Sequence, residues 1–327
     1  MSAAGQPQGA RPSGEAAQRD ARGRHAGAAG NPTTVVSGAE TAGDPVVATS
    51  NTRIPRLSRW SRSGLVGLAV LAFWFLIAAL GPWILPHSIN DMGAAGVFEA
   101  ISFTHPFGTD YLGRDVLSRI MDGARYTIGV ALVATILACG FGTLLGLLAA
   151  VNGGWFDAAL SRLQDTIVSI PSKMLALVIV AAFGSSITLL IVTAAIVYTP
   201  GCYRIIRSLA VNINAMDYVS IARTRGEGRL YIMLREILPN ITGPLLADMG
   251  LRFVYAVRLL ASLSFLGLGV QPPAADWGSL VRENLGALAT GGASVIAPAL
   301  AIATLTIAVN LVIDNLPGSA EAARDDH

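Results

Sequence analysis

Of 327 residues, 53% are hydrophobic and only 13% are charged, about half the charge that a water-soluble globular chain carries. A formal net charge of +2, without a basic stripe interleaved with aromatics, excludes a nucleic-acid surface. Lys173 is the single lysine and sits in Pro171-Ser172-Lys173-Met174, not at the end of the glycine-rich turn that a phosphate-binding loop needs, so this chain carries no ATPase site and is not read as an enzyme.

Residues 1–62 are rich in Ala, Gly, Pro, Ser and Arg and lack apolar periodicity; they predict a disordered tail. The first apolar run covers 64–85, longer than the core of a secretory signal and long enough to span a bilayer, so 63–86 is read as an uncleaved first transmembrane helix. Segment 87–125 is polar, with Leu112, Val116, Leu117 and Ile120 spaced for one face of an amphipathic helix lying outside the membrane. Five more apolar runs follow, at 126–151, 169–183, 187–206, 241–266 and 295–313, making a five-helix core over 126–316 ahead of a short tail at 317–327. The run at 169–183 is the shortest, with Pro171 and Lys173 at its start; proline suits a first helical turn and a lysine near a helix end reaches the interface. The fold class is therefore an all-α membrane protein with six transmembrane helices.

Arginine placement sets the orientation. Arg53, Arg56, Arg59 and Arg62 precede the first span, and Arg204, Arg207, Arg223, Arg225, Arg229 and Arg235 gather around the loop between the fourth and fifth. With six spans both groups fall on one side, so both termini are expected in the cytoplasm. Segments 86–125 and 267–292 fall on the other side, where the Asp and Arg residues of the first are read as a solvated polar face or a contact for a binding protein. From Gln271-Pro272-Pro273 to Leu288, glycine and proline predict a re-entrant element that dips back toward the path and stops short of spanning.

No chemistry is expected inside the bilayer. His25, His87, His105 and His327 all lie outside the spans, and no HExxH or GxSxG occurs. Cys139 and Cys202 stand in apolar tracts without a metal-binding spacing and are read as small buried hydrophobes. No catalytic residue, no metal site and no cofactor bound by this chain is expected.

The fifth span holds Asp248, Arg252 and Arg258. Each costs roughly 2.5–3.5 kcal/mol facing lipid at mid-membrane, so all three should face the bundle or a water-filled path. Asp248 and Arg252, four apart, share a helix face, and Arg258 is rotated away. Two readings stand: an internal ion pair that fixes helix packing, or a cluster lining the path where it meets charged ends of the cargo.

The loop before that span, Asp217-Tyr218-Val219-Ser220-Ile221-Ala222-Arg223-Thr224-Arg225-Gly226-Glu227-Gly228, is too polar for lipid but patterned as a short helix. Tyr218, Ile221 and Ala222 can share a face, Asp217 suits the helix dipole, and Gly226 or Gly228 can end the helix with a positive φ. A second helical stretch over 230–237 leads to Leu238-Pro239-Asn240 at the junction with the fifth span. By these residues alone, interfacial helices resting on headgroups fit as well as a docking element.

The loop resembles the EAA loop of ABC-importer permeases, in which a short coupling helix docks into a groove of the ATPase subunit. Asp217, Tyr218, Val219, Ala222, Arg223 and Gly226 match, followed by Arg235, Ile237, Leu238, Pro239 and Asn240, whereas Ser220 and Ile221 stand where the family usually has Glu and Ala. The resemblance implies ATPase coupling through Asp217, Tyr218, Ser220, Ile221, Ala222, Arg223, Gly226, Leu238 and Pro239, within a cytoplasmic loop at 207–240. Two more blocks, from His105-Pro106-Phe107-Gly108-Thr109-Asp110 to Arg119 and from Ala261 through Gln271-Pro272-Pro273 to Trp277-Gly278, resemble dipeptide, oligopeptide and nickel permeases, and match the second of the two permeases such importers carry. The resemblance covers about 105–313. It implies the type I importer permease fold and a multi-pass place in the bacterial cytoplasmic (inner) membrane. As partners it implies a second homologous permease, one or two ATP-binding cassette subunits that hold ATP and Mg, and an extracytoplasmic substrate-binding protein. The expected function is ATP-driven import of peptides or related small solutes by alternating access. A secondary transporter is the alternative, but it needs no such loop, and no internal repeat with matched broken helices is visible.

Overall fold

The structure is a computed structural model that describes residues 61–87, 96–290 and 292–315. The tails, with Arg53, Arg56 and Arg59, lie outside the described residues, as does the stretch between His87 and Gly96.

Helix α1, Arg62–Ile84, starts where Ser61 accepts a hydrogen bond from the Gly64 amide. Its apolar residues go all the way round, and Leu65, Phe73, Leu76 and Trp83 remain exposed, as suits a helix facing lipid. Helix α2 runs unbroken over Val116–Asn152, 37 residues or about 55 Å. The amphipathic helix expected outside the membrane is thus not a separate element. Val116, Leu117 and Ile120 form the first turns of the second long helix because Asp115 caps it, accepting from Ser118 N, and nothing interrupts the helix before Gly153.

Helices α3 (Gly154–Val168) and α4 (Ser172–Phe183) meet at an 81° bend. The 12 residues of α4 reach only about 18 Å, so the predicted span at 169–183 is not a straight crossing. Pro171 begins the new helix direction. Helix α5, Ile187–Asn214, contains Pro200 and pairs more extensively with α2 than any other two elements do. Glycine on α2 permits that approach: a Cβ on Gly142 would lie 2.7 Å from Cys202 Cβ, and one on Gly146 would lie 3.1 Å from Arg207 N. Small residues one turn apart let helix backbones come close within a membrane.

Helix α6 is Asp217–Thr224. From α7, Arg229–Tyr231, the chain passes through a π-helical segment, Ile232–Ile237, directly into α8, Leu238–Phe265. The expected junction at Leu238-Pro239-Asn240 is therefore the start of α8 proper, with Pro239 in its first turn, where the missing N–H is not needed. Helix α9, Trp277–Glu283, and a 3₁₀ segment, Leu285–Thr290, precede α10, Ala293–Ile313.

Among the described residues, four helices, α1, α2, α5 and α10, are long and apolar enough to cross a membrane alone, and the bent α3–α4 pair makes five if taken as one span. Helix α8 has 28 residues but carries Asp248, Arg252 and Arg258 and does not reach the same apolarity. A large core joins α2, α5, α8, α9 and α10 through Ile128, Val197, Val257, Leu260, Trp277 and Leu305. A second cluster, with Leu147, Ile206, Val219, Met233 and Ile237, lies at the α6 end of the bundle. At the same end, Ser61 Oγ donates to Asn315 Oδ1 at 2.6 Å, closing the start of α1 on the end of α10.

Candidate functional site

Helix α6 is mounted rather than floating. Val219 and Ala222 are fully buried, while Tyr218 and Ile221 are 39% and 57% exposed. The buried face is thus Val219 with Ala222, not the expected Tyr218, Ile221 and Ala222, because only Val219 reaches the cluster formed by α2, α5 and the π segment. Tyr218 and Ile221 are left on the outer surface beside Met216, Leu230 and Leu234, all of them exposed.

The end of α6 fixes the role of Gly226. Its φ is +84°, its amide donates to Arg223 O at 2.9 Å, and the Glu227 amide donates back to Ala222 O at 3.2 Å. These two bonds are the Schellman closure of a helix, which favours glycine at the left-handed position. A Cβ there would meet nothing within 4 Å, so backbone conformation, not space, selects glycine. Gly228 instead has φ −74° and leads into α7.

Polar ties hold the loop to the bundle. Arg223 Nη2 donates to Asn214 Oδ1 at 2.6 Å, Asn214 Nδ2 to Ala150 O at 3.0 Å, and Arg229 Nη1 to Asn152 Oδ1 at 2.5 Å. Asn240 Nδ2 donates to the Tyr218 hydroxyl at 3.2 Å, and burial, with the Glu236 carboxylate adding to it, pushes the Tyr218 phenol above its ordinary pKa. Of the residues predicted for coupling, Asp217, Tyr218, Ser220, Ile221, Arg223, Gly226 and Pro239 are exposed, Leu238 is half-buried and Ala222 is buried. Asn152 and Asn214 were not singled out in the sequence; nothing in their spacing marks them as clamps. Arg204 and Arg207, read as loop charge, are tied to α3, Arg204 to Asp165 at 2.6 Å and Arg207 to Asp157.

Inside the bundle Arg252 donates to both carboxylate oxygens of Asp248, Nε at 2.8 Å and Nη2 at 2.9 Å. Both residues are buried and Arg258 is exposed, so the three do not form one cluster. The guanidinium packs against α5 at Gly201, where a Cβ would sit 2.4 Å from Arg252 Nη1 and oblige the guanidinium to shift. Cys139 and Cys202 are buried beside this pair. Near Arg258, the Tyr198 hydroxyl donates to Tyr255 O at 2.9 Å.

The opposite end of the bundle holds a second polar system. Asp110 accepts from Arg114 Nε and Arg119 Nη1, both at 2.7 Å, and Arg119 also reaches Glu283 Oε2 at 2.8 Å. Asp110, Arg114, Asp115 and Arg119 are buried, which corrects their reading as a solvated face: Asp110, Arg114 and Arg119 pair with one another and with Glu283 of α9, and Asp115 caps α2. The α9 segment, expected to re-enter, is packed among the helices, with Trp277 fully buried and its Nε1 donating to Ile120 O at 2.9 Å. Asp276 caps it, and burial pushes that carboxyl up in spite of hydrogen bonds from Ser264 and Ser279. A cavity of ≈ 390 Å³ opens beside this system, lined by Tyr111, Gln271, Arg282 and Glu283 among others.

Comparison with known proteins bears on both ends. Residues 142–318 match the family described as binding-protein-dependent transport system inner membrane component. The chain is 36% identical over 275 residues, covering 83% of it and 90% of the relative, to a Brucella suis protein provisionally named a peptide transport system permease. It is 33% identical over 262 residues to the dipeptide transport system permease of Haemophilus influenzae, covering 78% of this chain and 89% of that one. To the glutathione transport system permease of Pectobacterium atrosepticum it is 32% identical over 278 residues, covering 83% and 92%. The all-helical bundle and its apolar spans agree with that match, and the chain belongs to the family of inner membrane components of binding-protein-dependent transport systems, the permease subunits of ABC importers.

Proposed function

We propose that this permease pairs with a second homologous permease to form a path for peptides or related small solutes, and that α6 transmits ATP binding and hydrolysis, carried out by partner ATPase subunits, into opening and closing of that path. The observation that carries the coupling role is the mount of α6: two buried residues and a Schellman closure hold it at the end of the bundle, with Tyr218 and Ile221 turned outward. A helix fixed in this way passes a push from a partner to α2, α5 and α8 as a rigid lever, which fits a transition between two packings. Exposed Ile221, standing where the family usually has Ala, fits a wider apolar spot in the partner's groove, and Ser220 in place of Glu asks for no cation opposite it.

In this reading the membrane contains six spans, with α3–α4 as a bent third and α8 as the fifth. The burial of Asp248 against Arg252 supports α8 in the bilayer, since a paired and neutral unit avoids the cost of two separate charges. The Ser61–Asn315 closure, at the same end as the arginine-rich loop, supports cytoplasmic termini. The peptide, dipeptide and glutathione names of the relatives suggest cargo with free carboxylates. Because Asp248 already neutralises Arg252, exposed Arg258 is the cation on α8 left to meet such a carboxylate.

Reconstitution with the second permease, the ATPases and the binding protein tests the proposal. ATP-dependent uptake that is lost when Gly226 is replaced by valine, with the complex still assembled, supports it. Uptake that is independent of the ATPases contradicts it and favours a secondary transporter.

A further inference from the structure

At the end of the bundle away from α6, three chain segments converge on one small polar site. His87 follows α1, His105 sits in the turn that precedes α2, and Asp115 caps α2. The Asp115 carboxylate is 1% exposed, and among the described residues its ion-pair partners are the two imidazoles alone: His105 Nδ1 at 3.3 Å and His87 Nδ1 at 3.7 Å. The nearby guanidinium groups of Arg114 and Arg119 are engaged by Asp110 and Glu283 instead. A carboxylate so deeply buried calls for a paired charge or a metal.

The donor geometry favours a metal. Two ligand atoms bound about 2.0–2.1 Å from one tetrahedral ion lie roughly 3.3–3.4 Å apart, and the donor atoms of His87, His105 and Asp115 all lie within 4.8 Å of one another. The ligands are also held in place before any ion arrives. Ser118 Oγ donates to Asp115 Oδ2 at 2.6 Å and accepts from the His87 amide at 3.1 Å, and the His105 amide donates to Ser102 Oγ at 3.0 Å. The bond to Asp115 is the kind of outer hydrogen bond that supports a metal-ligating carboxylate, and the two amide bonds fix the backbone that carries the imidazoles. His87 is 44% exposed, which leaves a way in and room for a water as fourth ligand.

We propose that His87, His105 and Asp115 form a binding site for a divalent transition metal of the zinc class, which clamps the end of α1 and the turn at His105 onto the start of α2. Two imidazoles and one carboxylate suit zinc and its neighbours rather than calcium or magnesium, which take oxygen ligands. The separations of the three residues along the chain match no metal-binding motif, so only the fold assembles the site. It is independent of the cargo and of the coupling role of α6.

The test is a Zn²⁺ titration of the full-length protein, purified by a tag without histidine, followed by calorimetry and by the thermal melting temperature. The expected result is one Zn²⁺ per chain and a rise in melting temperature. Both should weaken by at least about tenfold in affinity in His87→Ala, since even outer-shell changes cost 10–100-fold, and again in His105→Ala. Because His87 is half-exposed, its variant should fold, and an unaltered melting temperature without metal checks that. Stoichiometric Zn²⁺ binding that His87→Ala leaves unchanged would place the ion elsewhere and overturn the proposal, as would no binding by the wild-type chain, which leaves only an imidazole–carboxylate hydrogen bond.

Discussion

Gly226 and the Asp248–Arg252 pair show two different ways in which a single residue is fixed by its surroundings. At Gly226 the constraint is φ +84° with open space around the α-carbon, so any L residue other than Asn or Asp should pay roughly 1–2 kcal/mol of backbone strain. Gly226→Val is expected to cut ATP-dependent uptake strongly with normal membrane levels, and Gly226→Asn to retain most of it; equal uptake in both variants and wild type would show that the helix end does not matter. At Asp248 the constraint is electrostatic. Asp248→Ala strands a buried guanidinium and should destabilise the protein by about 3–5 kcal/mol, whereas the joint change Asp248→Leu with Arg252→Met should recover most of the melting temperature in detergent. Arg258, exposed on the same helix, should behave differently: Arg258→Leu is expected to leave stability intact and lower uptake of carboxylate-bearing peptides relative to their amidated forms by about tenfold, the scale of one hydrogen bond to a charged group. Equal uptake ratios before and after the change would remove Arg258 from the path. The Asp248–Arg252 pairing was legible from a spacing of four residues, but the socket for it was not, because Gly201 declares its purpose only when α5 lies against α8.

Helix α6 was visible in the sequence because the signals for its two ends are local: Asp217 in the first turn and glycine after the last. Its orientation was not. The apolar residues Tyr218, Val219, Ile221 and Ala222 allow more than one face, and only the packing of Val219 into the cluster with Leu147, Ile206 and Met233 selects it, with Ala222 on the same side, for burial. The amphipathic pattern before the second span was read correctly as helical from Val116 on and wrongly as separate, since Gly123, which could have ended a helix, lies inside the continuous α2. Helix α9 was the reverse case, a short polar-looking segment that the fold buries. Trp277 fills the space between α2 and α8 and bonds Ile120 O, so Trp277→Ala should cost about 3–5 kcal/mol and appear as a lower melting temperature and a reduced yield of folded protein. A melting temperature within a degree of wild type would contradict that placement. Asp276, which caps this helix, has a carboxyl pushed up by burial, so its contribution to stability is fullest below the pKa of the unfolded chain and declines as pH rises through the higher folded value. Asp276→Asn, which keeps a capping oxygen without the charge, should flatten this dependence between mildly acidic and neutral pH.

For the whole molecule, hydropathy located the described helices that are long and apolar but missed α3, whose 15 residues mix apolar and polar side chains, and the difficulty lay in which helices cross. The short α4, bent 81° from α3, and the charged α8 are the two predicted spans that composition alone does not support. Both depend on neighbours: α3 is held to α5 by Arg204–Asp165 and Arg207–Asp157, and α8 carries its charges as an internal pair. The central claim is that this permease meets its ATPase through the outer face of α6. A photo-reactive amino acid placed at Ile221, in membranes that contain the assembled importer, tests it most directly. Position 221 should give a cross-linked product of one permease and one ATPase subunit, and a probe at Phe103, exposed at the other end of the bundle, should give none. An active complex in which position 221 gives no ATPase product, or Phe103 gives as much, would contradict that claim.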